Sequence, residues 1–156
     1  MTTFTELYRQ HAHQVYRFAL WMCGNEADAE DITAETFARA WVGIDDARFD
    51  TAKAYLMTIA RNLVKNRHRR NREQLPLDDS LLDPKADPER TTAAKAELER
   101  ALRTLDSVSG IDREVFLMRV GGEMSYREIA TATGLSISAA KVKVHRTRLR
   151  LRGETK

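Results

Sequence analysis

The cations near the end of the chain have a spacing that suits contact with a polyanion. They recur at every second or third position and are Lys141, Lys143, Arg146, Arg148, Arg150 and Arg152. Ammonium and guanidinium groups on one helix can reach phosphates and the acceptor atoms of guanine in the major groove. The stretch therefore predicts a DNA-contacting helix, although a plain helical hairpin with a solvated basic face would contain the same residues.

A helix-turn-helix pattern positions these cations. Ser125 and Glu128 form a capping box that starts a short helix, and Gly134 supplies the turn that follows it. Either Ser136 or Ser138 then caps the second helix. Helical periodicity packs Leu135, Ile137 and Val144 against neighbouring helices. The outer face of the second helix is then predicted to carry Ser138, Lys141, Val142, His145 and Arg146.

A second basic helix combines cations with amides. Asn62 and Asn66 are four residues apart and so share a face, where each amide offers a donor and an acceptor to a base edge. The cations around them suit phosphates and are Arg61, Lys65, Arg67, Arg69 and Arg70. Arg48 and Phe49, in the loop before this helix, can pack on an unstacked base. Surface asparagines at a charged helix end would look the same.

The helix between residues 26 and 43 is acidic at its start, which suits the positive end of a helix dipole. Asp31 and Glu35 would be a carboxylate pair in an enzyme. No histidine, serine or glycine-rich phosphate loop accompanies them, so a partner-binding or solvated face is the better interpretation. The four histidines are scattered along the chain, and we expect neither enzyme activity nor a metal site.

Composition narrows the class of protein further. The net charge is only +3, yet residues 61–75 and 101–156 are basic while residues 1–60 and 76–100 are acidic. Two basic blocks suggest two contacts with a polyanion. Cys23 is the single cysteine, so a disulfide within the chain is excluded and a reducing cytoplasm is the expected setting. Uncharged runs are too short for a membrane span, and we expect no signal peptide.

The three prolines divide the chain into two parts. All of them lie in "LPLDDSLLDPKADPER", which predicts a flexible linker over residues 74–90. Residues 1–73 read as three helices, the second of which directs Ile32, Phe37, Trp41 and Ile44 inward. Residues 91–156 read as four helices that include the helix-turn-helix. No useful strand alternation occurs, so the predicted fold class is all-α in two small domains.

The ordered set of motifs resembles the extracytoplasmic-function (ECF) group of bacterial RNA polymerase sigma factors. The segments that carry the resemblance are "DAEDITAETFARAW", "YLMTIARNLVKNRHRR", the proline-rich linker and "REVFLMRVGGEMSYREIATATGLSISAAKVKVHRTRLRLR". They span about residues 4–152 in the order that the family shows. The resemblance implies domains two and four of a sigma factor. It also implies promoter DNA and core RNA polymerase, through its clamp coiled coil and its flap, as partners.

The resemblance also implies a role for individual residues. The helix that docks on the polymerase clamp would use Asp31, Ile32, Glu35, Phe37 and Arg39. Contacts with the melted −10 element would come from Arg48, Phe49, Arg61, Asn62, Lys65 and Asn66. Contacts with the −35 duplex would come from Arg119, Ser138, Lys141, Val142, Lys143, His145 and Arg146. Any inhibitor would be a separate anti-sigma factor, and no cofactor is implied.

Two other functions fit parts of the sequence. An autonomous repressor or activator would have the same helix-turn-helix, but it has no need of a docking helix and a paired-asparagine helix. A nuclease would need a metal-binding acid cluster beside a basic groove, and the sequence offers none. The sequence does not specify the promoter or the inducing signal.

Overall fold

The computed structural model describes residues 3–43, 51–70, 88–108 and 110–153. These ranges contain helices and no strand, and the predicted all-α class is confirmed. The helices are α1 (Phe4–Cys23), α2 (Glu26–Gly43), α3 (Ala52–Arg70), α4 (Pro88–Ser107), α5 (Gly110–Val120), α6 (Tyr126–Thr133) and α7 (Ile137–Leu151). Residues 71–87, which include most of the predicted linker over residues 74–90, lie outside the described residues. Helix α4 begins within the predicted linker because proline is well suited to the first position of a helix.

Local capping signals set the helix boundaries in the first lobe, which comprises α1 to α3. Thr3 and Glu6 form a reciprocal capping box at the start of α1. Gly24 ends α1 in the left-handed conformation, with φ of 70°. The Asn25 side chain then accepts a hydrogen bond from the backbone N–H of Asp28 at 2.9 Å and starts α2.

The helix-turn-helix forms where the sequence places it. Ser125 and Glu128 make the predicted capping box of α6, and Gly134 ends that helix with φ of 79°. Ser136, rather than Ser138, caps α7 by accepting a hydrogen bond from the Ala139 N–H. The second lobe, α4 to α7, therefore owes its turn geometry to signals that act over three or four residues.

The first lobe buries one face of each of its three helices. Its largest buried side chains are Leu7, Val15, Phe18, Ile32, Phe37, Leu56, Met57 and Val64. The inward placement predicted for Trp41 is wrong, because its side chain is 42% exposed. It lies at the edge of α1, where its ring meets that of Phe4 edge-on at 5.7 Å. Ile44 lies outside the described residues.

The second lobe packs α5, α6 and α7 around a small apolar centre. Its buried side chains include Val115, Leu117, Met118, Met124, Ile129, Ala140 and Val144. Ile137 was expected to pack inward, but it is 43% exposed because it is the first residue of α7 and lies at the edge of the buried stripe. Leu135 is half-buried and Val144 fully buried, as predicted.

The two lobes are packed against each other rather than held apart. Helix α3 contacts α6, α1 contacts α5, and one cluster of buried apolar side chains runs through both lobes. We call this contact the seam. Gly122 permits its close approach, because a Cβ at that position would lie 2.7 Å from the Met118 carbonyl oxygen and 3.1 Å from Met57 Cε.

Polar contacts complete the seam. Lys53 Nζ donates to the Glu123 carbonyl oxygen at 3.0 Å, and the Gln14 amide donates to the Glu123 carboxylate at 2.9 Å. The Thr51 hydroxyl donates to the Glu128 carboxylate at 2.6 Å. Burial alone would raise the pKa of Glu128, but hydrogen bonds from Ser125 and Thr51 outweigh burial and lower it.

Candidate nucleic-acid interfaces

The outer face of α7 is a free surface of mixed chemistry. The five side chains predicted for this face are all exposed; they are Ser138, Lys141, Val142, His145 and Arg146. Val142 is 57% exposed, so an apolar group is presented among cations. Such a group can contact a thymine methyl, while the hydroxyl and the cations can reach base edges and phosphates. The face can therefore both attract a duplex and discriminate among bases.

Lys143 does not belong to that free surface. Its Nζ lies 3.0 Å from Asp112 Oδ1, and its side chain is only 20% exposed. The other oxygen of the same carboxylate, Oδ2, lies 3.2 Å from Nη2 of Arg146, whose side chain is 52% exposed. Asp112 thus joins the first turn of α5 to two of the candidate DNA-contacting cations on α7. Sequence reasoning did not identify Asp112.

Arg119 and Lys141 share an aromatic support. The Arg119 guanidinium carbon lies 4.4 Å from the centre of the Tyr126 ring, and the Lys141 ammonium lies 5.7 Å from it. Arg119 also donates to the Met124 carbonyl oxygen at 2.8 Å. Tyr126 therefore helps to position two candidate DNA contacts through cation–π attraction. The signal that could have identified Tyr126 in the sequence is its place directly after the N-cap Ser125.

Helix α3 presents its amides but not all of its cations. Asn62, Lys65 and Asn66 are exposed. Arg61 is not, because its Nε donates to Glu114 Oε2 at 3.0 Å and its side chain is only 15% exposed. The candidate residues Arg48 and Phe49 lie outside the described residues. The structure therefore brings three of the six candidate −10 residues to a free surface and places Arg61 in the seam.

The basic end of α3 is tied to the acidic start of α2. Arg67 donates to Asp28 at 2.6 Å and to Asp31 at 3.4 Å. The Asp31 side chain is still 66% exposed, so the longer contact leaves it open to solvent and to a partner. The shorter contact is the better protected of the two, because the Asp28 side chain is 20% exposed. These contacts fix the two helices relative to each other.

The candidate docking helix divides into a surface set and a core set. Asp31 and Arg39 are exposed and Glu35 is partly exposed, with Glu35 paired to Arg39 at 2.7 Å along the helix. Ile32 and Phe37 are 0% and 1% exposed. Direct contact of those two side chains with a partner does not fit this structure, since both face the interior of the first lobe. They support the helix from within.

Two titratable groups have altered chemistry inside the fold. Burial, followed by the charge of Asp28, raises the pKa of the Cys23 thiol to about 12, so this thiol stays neutral and is a poor nucleophile. Burial, followed by the charge of Lys53, lowers the pKa of His11. Within the described chain, the buried Nδ1 of His11 has no hydrogen-bond partner.

The described side chains form no group of three or more histidine, cysteine or acidic residues that could hold a metal ion. Among the helices of the described ranges, none is both long enough and apolar enough to span a bilayer. The arrangement instead offers two separate basic faces, on α3 and α7, and an acidic face on α2. Together the folds and faces define a bipartite nucleic-acid-binding protein with an additional surface for a partner.

Comparison with known proteins agrees with this class. The family description "Sigma-70 region 2" matches residues 7–74, and "Sigma-70, region 4" matches residues 93–151. The ECF RNA polymerase sigma factor SigL of Mycobacterium tuberculosis is 33% identical over 148 residues, covering 89% of this chain and 81% of that protein. SigE of Mycolicibacterium smegmatis is 34% identical over 160 residues, covering 97% of this chain but 61% of SigE.

Solved structures show the same fold. CnrH, in complex with the cytosolic domain of CnrY, matches with a TM-score of 0.71 and 27% identity over 96% of this chain and 85% of that one. A sigma factor RpoE from Bartonella quintana, in complex with the anti-sigma factor NepR, matches with a TM-score of 0.72 and 22% identity, covering 97% and 95%. The chain belongs to the ECF sigma factors of the sigma-70 family, which confirms the resemblance drawn from its motifs.

Proposed function

We propose that this chain binds core RNA polymerase and directs it to promoters through two DNA contacts. Helix α7 reads the −35 duplex, and α3 holds bases of the melted −10 element. The observation that carries the proposal is the placement of two exposed polar and basic faces on separate lobes, each lobe matching one sigma-70 region. The setting is the cytoplasm, and the chain itself catalyses no reaction.

The exposed face of α2 supplies the polymerase contact. Asp31, Glu35 and Arg39 present charge to solvent, while Ile32 and Phe37 hold the helix in place from the core. The clamp coiled coil is the partner for this face, and the flap contacts the second lobe. A docking helix on the same lobe as the −10 contact fixes the position of the melted strand relative to the polymerase.

A separate anti-sigma factor completes the proposal. CnrH and RpoE, two similar proteins, were each solved with a bound protein, which is named an anti-sigma factor in the RpoE structure. The seam leaves the face of α2 and the outer face of α7 open at the same time. A protein that covered both faces would block the polymerase and the promoter together.

In vitro transcription tests the proposal. Purified core polymerase and fragments of the source genome are incubated with and without the protein, and transcript 5′ ends are mapped. New start sites that need the protein are expected. The double substitution of Asn62 and Asn66 by alanine is the control for a folded protein that lacks the −10 amides. Both side chains are exposed, so the fold should be retained while the new transcripts are reduced. Nanomolar binding to duplex by the protein alone, without new start sites, would favour the autonomous regulator instead.

A further inference from the structure

Asp112 lies between the helix-turn-helix and the helix that precedes it. It occupies the first turn of α5, and its side chain is 13% exposed. Its Oδ1 is 3.0 Å from Lys143 Nζ, and its Oδ2 is 3.2 Å from Arg146 Nη2. The two cations are three residues apart on α7 and so project from the same side of that helix. One carboxylate therefore bridges both.

The bridge has different consequences for the two cations. Lys143 is largely enclosed, at 20% exposure, so most of its charge is directed at Asp112 rather than at solvent. Arg146 is 52% exposed. Within the described part of the chain, Asp112 is its one ion-pair partner and engages a single terminal nitrogen. The remaining N–H donors of a guanidinium with five donors stay available on the outer face of α7.

A fixed guanidinium is what base recognition requires. Arginine reads guanine by donating two parallel hydrogen bonds to O6 and N7, which demands a defined plane for the fork. A guanidinium that swings freely also contacts the phosphates of any sequence, and such contacts carry no sequence information. Holding a long side chain before binding reduces the entropy that binding must remove.

We propose that Asp112 is a positioning residue for −35 recognition: it fixes the Arg146 guanidinium for base reading and keeps Lys143 away from the phosphates. The inference rests on the proposed function of α7. Asp112 then favours discrimination at the expense of general attraction to DNA. Its negative charge beside the recognition face lowers the affinity for every duplex, whereas the fixed fork restores affinity only for the correct one.

A purely stabilising role for Asp112 makes a different prediction. A carboxylate in the first turn of α5 also interacts with the helix dipole, and an ion pair between α5 and α7 ties the lobe together. Loss of such a role would loosen α7 and weaken binding to correct and incorrect duplexes alike. Loss of the positioning role would weaken only the preference and strengthen non-specific binding.

The test uses the full chain assembled with core polymerase and the promoter found by the transcription assay, with its upstream element randomised. Asp112→Asn should reduce the discrimination between the selected sequence and a scrambled one by about 3- to 10-fold. The dependence of non-specific binding on salt should steepen by roughly one unit of slope, because cationic charge is released toward the phosphates.

Asp106→Asn is the matched control. Asp106 lies in the same lobe, is 59% exposed and pairs with Arg113 of α5 at 3.3 Å, so its loss removes the same charge at a site that, among the described side chains, forms no ion pair with α7. Its discrimination should equal that of the wild type. If both substitutions change discrimination equally, the effect is one of net charge and the inference is overturned.

If Asp112→Asn loses helical content, Asp112→Glu replaces it as the variant that tests the positioning role. The longer side chain keeps the charge but displaces the guanidinium, so discrimination should fall while the salt slope stays that of the wild type. Unchanged discrimination in Asp112→Glu or in a folded Asp112→Asn overturns the inference and leaves the proposed function intact. A wild-type protein that yields no start site and selects no upstream sequence overturns the proposed function, and the inference with it.

Discussion

Arg61 of α3 and Glu114 of α5 form an ion pair that joins the two lobes. Arg61 Nε lies 3.0 Å from Glu114 Oε2, and the two side chains are only 15% and 7% exposed. A cation assigned to the −10 phosphates is therefore neutralised inside the protein when the seam is closed. Because the Arg61 side chain is only 15% exposed, its guanidinium is enclosed and does not face a phosphate while the seam is closed.

Glu114→Gln should weaken the seam and release Arg61. Removing one partner of a buried pair leaves an uncompensated charge, and a loss of up to about 3 kcal/mol of stability is expected in urea unfolding. Binding to a single-stranded −10 oligonucleotide, followed by fluorescence anisotropy, should become tighter because the freed cation reaches the phosphates.

The double substitution Arg61→Met with Glu114→Met is the control for that experiment. Replacing both charges by apolar groups removes the uncompensated charge and should restore much of the stability. It should not increase the affinity for the oligonucleotide, since no cation is released. Tighter binding in the double variant would show that Arg61 is not the group involved.

Charge reversal of Asp31 and Glu35 should weaken association with core polymerase while the helical content stays the same. Both lie on the solvent side of α2, and Asp31 is 66% exposed in its long, 3.4 Å contact with Arg67, so loss of that contact costs at most about 1 kcal/mol. Titration with fluorescently labelled protein measures the affinity. Glu30→Lys is the control, because the Glu30 side chain points about 100° away from that of Asp31 around the helix axis. If this variant weakened the affinity for polymerase equally, the assignment of the docking face would be contradicted.

Replacement of Asn62 and Asn66 by alanine should act after duplex binding. Their amides can serve a base only once it has left the stack, and unstacking costs about a few kcal/mol per base. The double variant should keep duplex binding but accumulate closed complexes, which a permanganate footprint of unpaired thymines detects. Normal opening on duplex, with normal affinity for a premelted bubble, would refute the base-reading role.

The closed protein should lose stability in mild acid through His11. Burial and Lys53 on α3 lower the pKa of His11 below its ordinary value of 6.5, although Glu128 on α6 acts in the opposite direction. The unfolded chain therefore binds a proton more readily than the folded chain. The free energy of unfolding should fall as the pH drops from 7 through 6.5 toward the folded pKa.

Urea unfolding at several pH values measures this effect. His11→Gln should flatten the decrease below pH 6.5, since no imidazole then titrates in the seam. His13→Gln is the control, because the His13 side chain is exposed and its hydrogen-bond partner among the described side chains is Arg17 on the same helix. A pH profile that is the same for His11→Gln and the wild type would show that other groups govern the transition.

Local features of the fold could be predicted because their causes lie close together in sequence. The capping box of Ser125 and Glu128 and the turn at Gly134 depend on residues three to nine positions apart. Helical periodicity was enough to place five side chains on the outer face of α7. The same periodicity misplaced Trp41 and Ile137, because it does not report where a neighbouring helix ends.

The side chains that sequence reasoning missed act over long separations. Asp112 meets Lys143 across 31 positions, and Glu114 meets Arg61 across 53. Such pairings depend on how helices pack, which no short pattern encodes. The assignment of Ile32 and Phe37 to the docking surface failed for a related reason. The motif of the docking helix includes both surface residues and the core residues beneath them, and the sequence alone does not separate the two sets. The proline-rich composition of the linker predicts a flexible connection, but it does not predict whether the two lobes pack against each other.

The seam sets a geometric limit on the closed protein. The −35 and −10 elements are named for positions about 25 base pairs apart, which is about 85 Å of duplex at 3.4 Å per base pair. A compact chain of this length has a radius of gyration of about 15 Å. One closed molecule is too short to touch both elements, so the proposed function requires the lobes to part.

Because the lobes must part, the stability of the seam affects the apparent affinity of the protein for polymerase. If only a fraction of the molecules is open, the apparent dissociation constant for any partner that needs parted lobes is the intrinsic one divided by that fraction. Each tenfold strengthening of the seam then weakens polymerase binding about tenfold without altering a single contact with polymerase. Under the proposed function, the close packing at Gly122 and the ion pair of Arg61 with Glu114 would therefore raise the concentration of protein needed to occupy the polymerase.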